Sequence, residues 1–353
     1  MSTVAKIREK MSEAGLDAIL VSDELNQHYL SGFAFTDGYL FITHEKAYLV
    51  TDFRYFEMAE NRAYPEFIVV MPESRREFLT QVIEEGGVKT LGFEGSYLPY
   101  AEYRAYVERY PGVEFVDIKT IIEDMRYIKT PEEIAKMQKA QDITDKAFSQ
   151  LLSVITTNMT EIEVAAELEY AMRRLGADSA AFETIAVTAD ASALPHGTPR
   201  NLKLRQGFLT MDFGAKVGGY CSDMTRTIVI GKADSDMKKL YNTVLSAQLA
   251  ALDFLKEGAD AGEADKIARD IIDKDYNGTF GHSLGHGVGL FIHENPRLSR
   301  TAFGYKLRKG EIVTVEPGIY LYGKYGCRIE DMVAIEEGGV HNFTHSTKEL
   351  IEI

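Results

Sequence analysis

The stretch MDFGAKVGGYCSDMTRT carries two aspartates, Asp212 and Asp223, on either side of a Gly-Gly pair in a run that otherwise has the composition of two strands. A hairpin centred on Val217-Gly218 makes these aspartates direct cross-strand partners, with side chains roughly 4.5 to 5.5 Å apart on one face. Like charges so placed repel. Either one carboxyl is protonated, or both face solvent, or a cation lies between them. Spacing alone accounts equally well for two solvated hairpin aspartates, since Asp is usually exposed.

Further groups of the same chemistry lie downstream. Glu316 ends a strand-like run in TVEPG behind Ile312, Val313 and Val315, and Glu330 sits in CRIEDMVAI, an apolar strand in which Arg328 shares its face. Taken singly, the first reads as a strand terminus and the second as half of an ion pair. The run FGHSLGHGVGLFIHENPR adds His282, His286 and His293 among Gly281, Gly285, Gly287 and Gly289. His282 and His286 have the i, i+4 spacing of a helical zinc pair, but that glycine density points to extended or looped backbone in close approach to something. Asp212, Asp223, Glu316, Glu330 and one histidine together carry four negative charges, the balance of two divalent cations. An oxygen-dominated set suits Mn²⁺, and less well Co²⁺, Fe²⁺ or Zn²⁺, and it lacks the cysteines of a structural zinc site. Two metals roughly 3.5 to 4 Å apart can hold a bridging hydroxide and polarise a carbonyl, which is metal-assisted hydrolysis.

The elements that must position these groups are legible in outline. Before residue 124 helical and strand-like stretches alternate: IREKMSEAG and FRYFEMAENRA as helices, AILVSD, KAYLVTD and VKTLGFEG as strands, together an α/β domain. Thr130-Pro131-Glu132-Glu133 then opens a long helix with a capping box and proline at its first position, and Ile134, Met137, Ile143, Ala147 and Leu151 mark its apolar face. Thr160 to Glu163 repeats the box before a second helix that Gly176 stops. Strand signals follow in GFLTMDFG, YCSDMTRTIVIG, EIVTVEPGIYLY and CRIEDMVAI, interrupted by the helical MKKLYNTVLSAQLAALDFLKEG. The second part is therefore α+β, helices on a mostly antiparallel sheet, over 125–353, with 1–124 as a smaller first domain.

Composition agrees with two domains: 353 residues, 45% hydrophobic, exceed what one core usually serves. A formal charge of -15 without a Lys/Arg run argues against nucleic acid or an anionic membrane as the main partner. The charged N-terminus lacks the apolar core of a signal peptide and no apolar run reaches membrane-spanning length, which together predict a cytoplasmic protein. Two cysteines, Cys221 and Cys327, are expected as free thiols near the site.

The ordered set Asp212, Asp223, His286, Glu316 and Glu330, inside MDFG, SDMTRT, GHGVGL, VEPGIY and RIEDM, resembles the pita-bread metallopeptidases, in the branch of Xaa-Pro dipeptidases (prolidases) and Xaa-Pro aminopeptidases. The resemblance spans the whole chain and implies a creatinase-type N-terminal domain before a pita-bread catalytic domain. It implies that Asp212 chelates one of two metal ions, that Asp223 and Glu330 bridge both, and that His286 and Glu316 complete the other, Glu316 also serving as general base. His196 in LPHGTP and His293 in FIHENP would contact the substrate and stabilise the tetrahedral intermediate. Arg328 would brace the metal-bridging carboxylate and His282 would stand behind the ligands. The substrates implied are peptides with proline at the second position, whose tertiary amide has no N–H. Arg297 and Arg300 could read a dipeptide's carboxylate, or be exposed loop arginines. An Xaa-Pro dipeptidase is expected, with an aminopeptidase acting on longer peptides as the near alternative. Methionine aminopeptidases resemble only the C-terminal domain and creatinase does not use this metal set. A non-catalytic binding module of the same fold is the alternative from another class; such relatives have lost ligands. By analogy the protein would form a homodimer, with the loop around LSGFAFTDGYL at the partner's site.

Overall fold

The computed structural model describes residues 1–353 and divides between Arg126 and Tyr127 into two compact units. In the first, helix Thr3–Ala14 is capped by Ser2 and stopped by Gly15 in the left-handed region. The sheet runs in the order Ile68–Val70, Ala47–Thr51, Gly38–Thr43, Ala18–Val21, Thr90–Phe93, Glu114–Asp117. Gly38–Thr43 is antiparallel to both of its neighbours and the remaining pairs are parallel, so the sheet is mixed.

In the second unit helix Pro131–Val154 begins with both bonds of the capping box between Thr130 and Glu133. Met137, Ile143, Ala147 and Leu151 are buried as their spacing predicts, while Ile134 is only half-buried. This helix and Glu161–Arg174 cover strand Gly207–Phe213, which lies between Ile185–Thr188 and Met224–Ile230. A second core joins helices Ser235–Phe254 and Ala261–Tyr276 to the sheet ordered Glu294–Leu298, Gly285–Gly287, Ile312–Val315, Asp331–Ile335, Val340–Asn342. Every strand pair of this unit is antiparallel. The unit thus has two helix pairs, each against one of these sheets, together with two smaller sheets, one of Tyr220–Cys221, Ala215–Val217 and Ser179–Ala180 and one of Gly318–Leu321 and Tyr325–Arg328. Helix Ala261–Tyr276 carries no large apolar stripe at its start; Ala261, Ala264, Ala268 and Ile272 form its buried side, and Asp260 caps it through the Gly262 and Glu263 amides. Small residues hide a helical face that larger ones would have announced.

The hairpin between the two aspartates turns one residue later than its sequence suggests. Gly218 and Gly219 have φ of 56° and 83°, and Val217 pairs with Tyr220. Two successive positive-φ residues suit glycine and would strain valine, so the turn falls on Gly-Gly and not on Val217-Gly218. Asp212 consequently pairs with Thr225, and Asp223 is not its partner. Asp223 instead lies with Ser222 in a break between strands Tyr220–Cys221 and Met224–Ile230. Ser222 Oγ accepts the Ala215 N–H at 2.9 Å and shares a hydrogen bond with Thr144. CRIEDMVAI is likewise two strands: one ends at Arg328 and the next begins at Asp331, leaving Ile329 and Glu330 between them. Period-two alternation therefore does not place Arg328 and Glu330 on one face.

Candidate metal centre and active site

Ten of the eleven residues singled out for chemistry, Asp212, Asp223, Glu316, Glu330, His196, His282, His286, His293, Arg297 and Arg328, line one cavity of about 420 Å³ in the second unit. Arg300 does not line it. Cys221 and Cys327 are free and buried, and neither reaches the cavity.

The carboxylates converge because they sit where strands are interrupted. Asp223 lies in the break after Cys221, Glu316 follows strand Ile312–Val315, and Glu330 precedes strand Asp331–Ile335. Released from the pleat, these side chains need not alternate across a sheet. Backbone bonds hold the breaks in place: the Glu316 N–H donates to Leu284 O at 2.8 Å and the Glu330 N–H to Thr225 O at 3.1 Å. His286 lies on strand Gly285–Gly287, whose glycines are required by the neighbouring strands. A Cβ at Gly285 would lie 1.9 Å from Thr314 O, and one at Gly287 would lie 2.2 Å from Asn295 O. The close approach read from the glycine-rich run is thus strand against strand.

Ligand atoms of Asp223, His286 and Glu330 all fall within 4.8 Å of one another, a group that could hold a metal ion. His286 Nδ1 lies 3.1 Å from Gly287 O, which assigns the proton to Nδ1. The unprotonated Nε2 then faces Glu316 Oε1 at 3.3 Å and Asp223 Oδ2 at 3.6 Å. Burial lowers the His286 pKa to about 3, so the ring stays neutral. A lone pair confronting two carboxylates is an arrangement that a cation resolves. Asp212 Oδ1 is buried with no hydrogen-bond partner, while its Oδ2 accepts from Arg328 Nη2 at 2.6 Å. Burial and then the charge of Glu330 push the Asp223 carboxyl well above the usual range, and burial followed by Glu316 does the same to Glu330. Glu316 is raised to about 8, chiefly by burial. Without a cation these groups cannot all ionise cheaply. On donor chemistry, charge and the orphaned Asp212 oxygen, the residues fit divalent metal.

Arg328 stands behind the carboxylates and meets one of them directly. It donates directly to Asp212, and it reaches Glu330 only through Thr225, whose Oγ1 accepts from Arg328 Nε at 3.0 Å and donates to Glu330 Oε2 at 2.6 Å. Its Nη1 donates to Tyr320 OH at 2.8 Å and to Pro195 O at 3.2 Å. Burial opposes its charge, but Tyr320, Asp212, Glu316 and Glu330 outweigh that and hold the guanidinium firmly protonated. Tyr320 OH also meets His282 Nε2 at 2.9 Å, and His282 Nδ1 lies 2.9 Å from Ser283 O. Burial depresses His282 to about 4, so this neutral ring accepts from the tyrosine. His293 packs edge-on against His286 with ring centroids 4.5 Å apart.

Thr225, Tyr320 and Thr314 were not legible as site residues. Thr314 Oγ1 accepts the His286 N–H at 3.1 Å and donates to Glu316 Oε1 at 3.2 Å. Its place two residues before Glu316 on a strand is the signal that could have found it. The contacts of Thr225 and Tyr320 depend on tertiary packing.

Comparison with known proteins gives a concordant picture. Residues 135–337 match metallopeptidase family M24 and residues 4–128 match the creatinase/prolidase N-terminal domain. The chain is 40% identical over 351 residues to an Xaa-Pro dipeptidase of Pyrococcus horikoshii, covering 99% of this chain and 98% of that one. Among solved structures, an Xaa-Pro dipeptidase from Bacillus anthracis superimposes with a TM-score of 0.94 at 40% identity over 99% of both chains. An X-Pro aminopeptidase from Thermotoga maritima superimposes with a TM-score of 0.93 at 34% identity over 100% of both chains.

Proposed function

The chain belongs to metallopeptidase family M24, and from that premise we propose that it is an Xaa-Pro dipeptidase that works with two divalent metal ions, Mn²⁺ foremost among Mn²⁺, Co²⁺, Fe²⁺ and Zn²⁺. The observation that carries this reading is the convergence of Asp223, His286 and Glu330 beside Asp212 and Glu316 in a cavity that also contains Arg297. When bound, the metals supply an activated water at neutral pH and a Lewis acid for the substrate carbonyl. Asp212, Asp223, His286, Glu316 and Glu330 would hold them. Glu316 takes the proton of the attacking water on its carboxylate and passes it to the proline nitrogen as the C–N bond breaks. His196 and His293 donate hydrogen bonds to the carbonyl oxygen as charge builds there. Arg328 and Thr225 fix Asp212 and Glu330 from behind.

Arg297 supports a dipeptide over a longer substrate. It lines the cavity, and its guanidinium donates only one long hydrogen bond, to His293 O at 3.4 Å, so it is free to take the proline carboxylate. The test is release of proline from Leu-Pro and of Pro-Gly from Leu-Pro-Gly, measured side by side by mass spectrometry after chelation and after Mn²⁺ is restored. Metal-dependent cleavage of Leu-Pro is the expected outcome. Cleavage chiefly of Leu-Pro-Gly would make the chain an Xaa-Pro aminopeptidase, and turnover of neither with any divalent metal would leave a binding module.

A further inference from the structure

Glu183 is a charge in the cavity that the hydrolytic chemistry does not use. It lines the wall together with Phe182, Thr184 and Ile185, is exposed, and makes no ion pair or side-chain hydrogen bond within the chain. The strand register fixes which side of the site it belongs to. Ile185 is the cross-strand partner of Asp212, whereas Arg297 is the partner of His286. Glu183 therefore flanks the Asp212 side of the carboxylate cluster and Arg297 flanks the His286 side. Two divalent cations offset the four ligand carboxylates, and Arg328 is committed to Asp212. The charges left to meet a substrate are one negative and one positive, set on the flanks of different ligands.

This inference rests on the dipeptidase reading above. With the proline carboxylate on Arg297, the first residue points toward the Asp212 side. Its amine is bonded to the carbon next to the scissile carbonyl, so it stays against the ligand cluster, and only the side chain can extend along the wall. Phe182 and Ile185 offer that side chain an apolar surface, with Glu183 at the same wall. An apolar stem ending in a cation matches such a surface, as lysine and arginine do when the stem is buried and the head stays hydrated. We propose that Glu183 is a specificity-determining residue that selects a positively charged first residue, so that Lys-Pro and Arg-Pro are preferred over acidic Xaa-Pro dipeptides.

The experiment compares kcat/KM for Lys-Pro, Leu-Pro and Glu-Pro in the metal-loaded wild type, Glu183→Gln and Glu183→Lys. Attraction in one substrate and repulsion in the other add, so wild type should favour Lys-Pro over Glu-Pro on the order of ten-fold, narrowing at high salt. Glu183→Gln should bring that ratio toward one and Glu183→Lys should invert it. A Lys-Pro to Glu-Pro ratio that Glu183→Gln leaves unchanged overturns the proposal. Failure of the dipeptidase reading is a separate result, seen as no hydrolysis of Leu-Pro by wild type with any divalent metal. In that case calorimetric binding of the same dipeptides to the chelator-stripped chain still decides: the charge order and its loss in Glu183→Gln uphold the role, and equal binding ends it.

Discussion

The chemistry at the centre of this molecule depends on one cation of its own. Arg328 makes four side-chain hydrogen bonds, to Asp212, Thr225, Tyr320 and Pro195, and lysine has neither the planar fork nor the reach to repeat them. Arg328→Lys should lower metal affinity about 10- to 100-fold while preserving charge, read by metal titration of the stripped protein; wild-type affinity in this variant would show that charge alone suffices. Arg297→Ala should raise KM for Leu-Pro by about 10- to 100-fold, the worth of a charge-assisted hydrogen bond, with a smaller effect on kcat. Equal loss in both constants would move Arg297 from binding to transition-state stabilisation. The carboxylates also give a signed pH dependence. In the metal-free chain Glu316 is raised from 4.5 to about 8, so the stability it confers when protonated is full below 4.5 and is lost as pH rises through 8. His286 is lowered from 6.5 to about 3, so its unfavourable contribution is confined to pH below 6.5. Between pH 6.5 and 8 the cluster therefore contributes a net loss. Calorimetry of the chelated protein should show Tm falling across that window, with a shallower fall in Glu316→Gln; a Tm that rises there would contradict the assignment.

At the level of elements, the site is built from interruptions, and that governs what the sequence could reveal. Gly285→Ala would drive a Cβ to within 1.9 Å of Thr314 O, in the strand that carries Thr314 toward His286 and Glu316. The strands would have to part, and a loss of roughly 2–4 kcal/mol in stability together with weakened metal binding is expected from denaturant unfolding and metal titration. By contrast Thr130→Ala, which removes a capping box distant in chain from the ligands, should cost only about 1 kcal/mol and leave metal affinity unchanged. The caps at Thr130 and Thr160 were readable because a capping box is local: side chain and amide lie three residues apart. The identity of the ligands was readable because their contexts resemble a known family. Their placement was not, since a strand broken at Ser222-Asp223 and another at Ile329-Glu330 look continuous when apolar residues run through them. The turn at Gly218-Gly219 was displaced by a single residue, which was enough to exchange Thr225 for Asp223 opposite Asp212. Helix Ala261–Tyr276 went unseen because alanine gives a weak apolar signal. Arg226, fully buried and paired with Asp331 at 2.8 Å, gave none at all, because its partner lies 105 residues away.

At the scale of the whole chain, the candidate ligands all belong to the unit Tyr127–Ile353, so a bound metal should stabilise that unit selectively. At a thousand times its Kd a metal adds about 4 kcal/mol to whatever it binds only when folded. Differential scanning calorimetry of the full chain, with and without chelator, should show the heat of the larger unit moving while that of Met1–Arg126 stays in place; a uniform shift of a single transition would mean that the two units unfold together. Within the larger unit the two helix-on-sheet halves contribute unequally: Asp212 and Asp223 come from the first, His286, Glu316 and Glu330 from the second. The complete ligand set therefore does not exist until the halves have docked, with Arg226 locked on Asp331 and Thr225 on Glu330. Before that moment each half offers a nascent chain only a few scattered acids. An ion that needs the full set can bind only a chain whose halves have met in register, so holding it would report correct docking as well as enable chemistry.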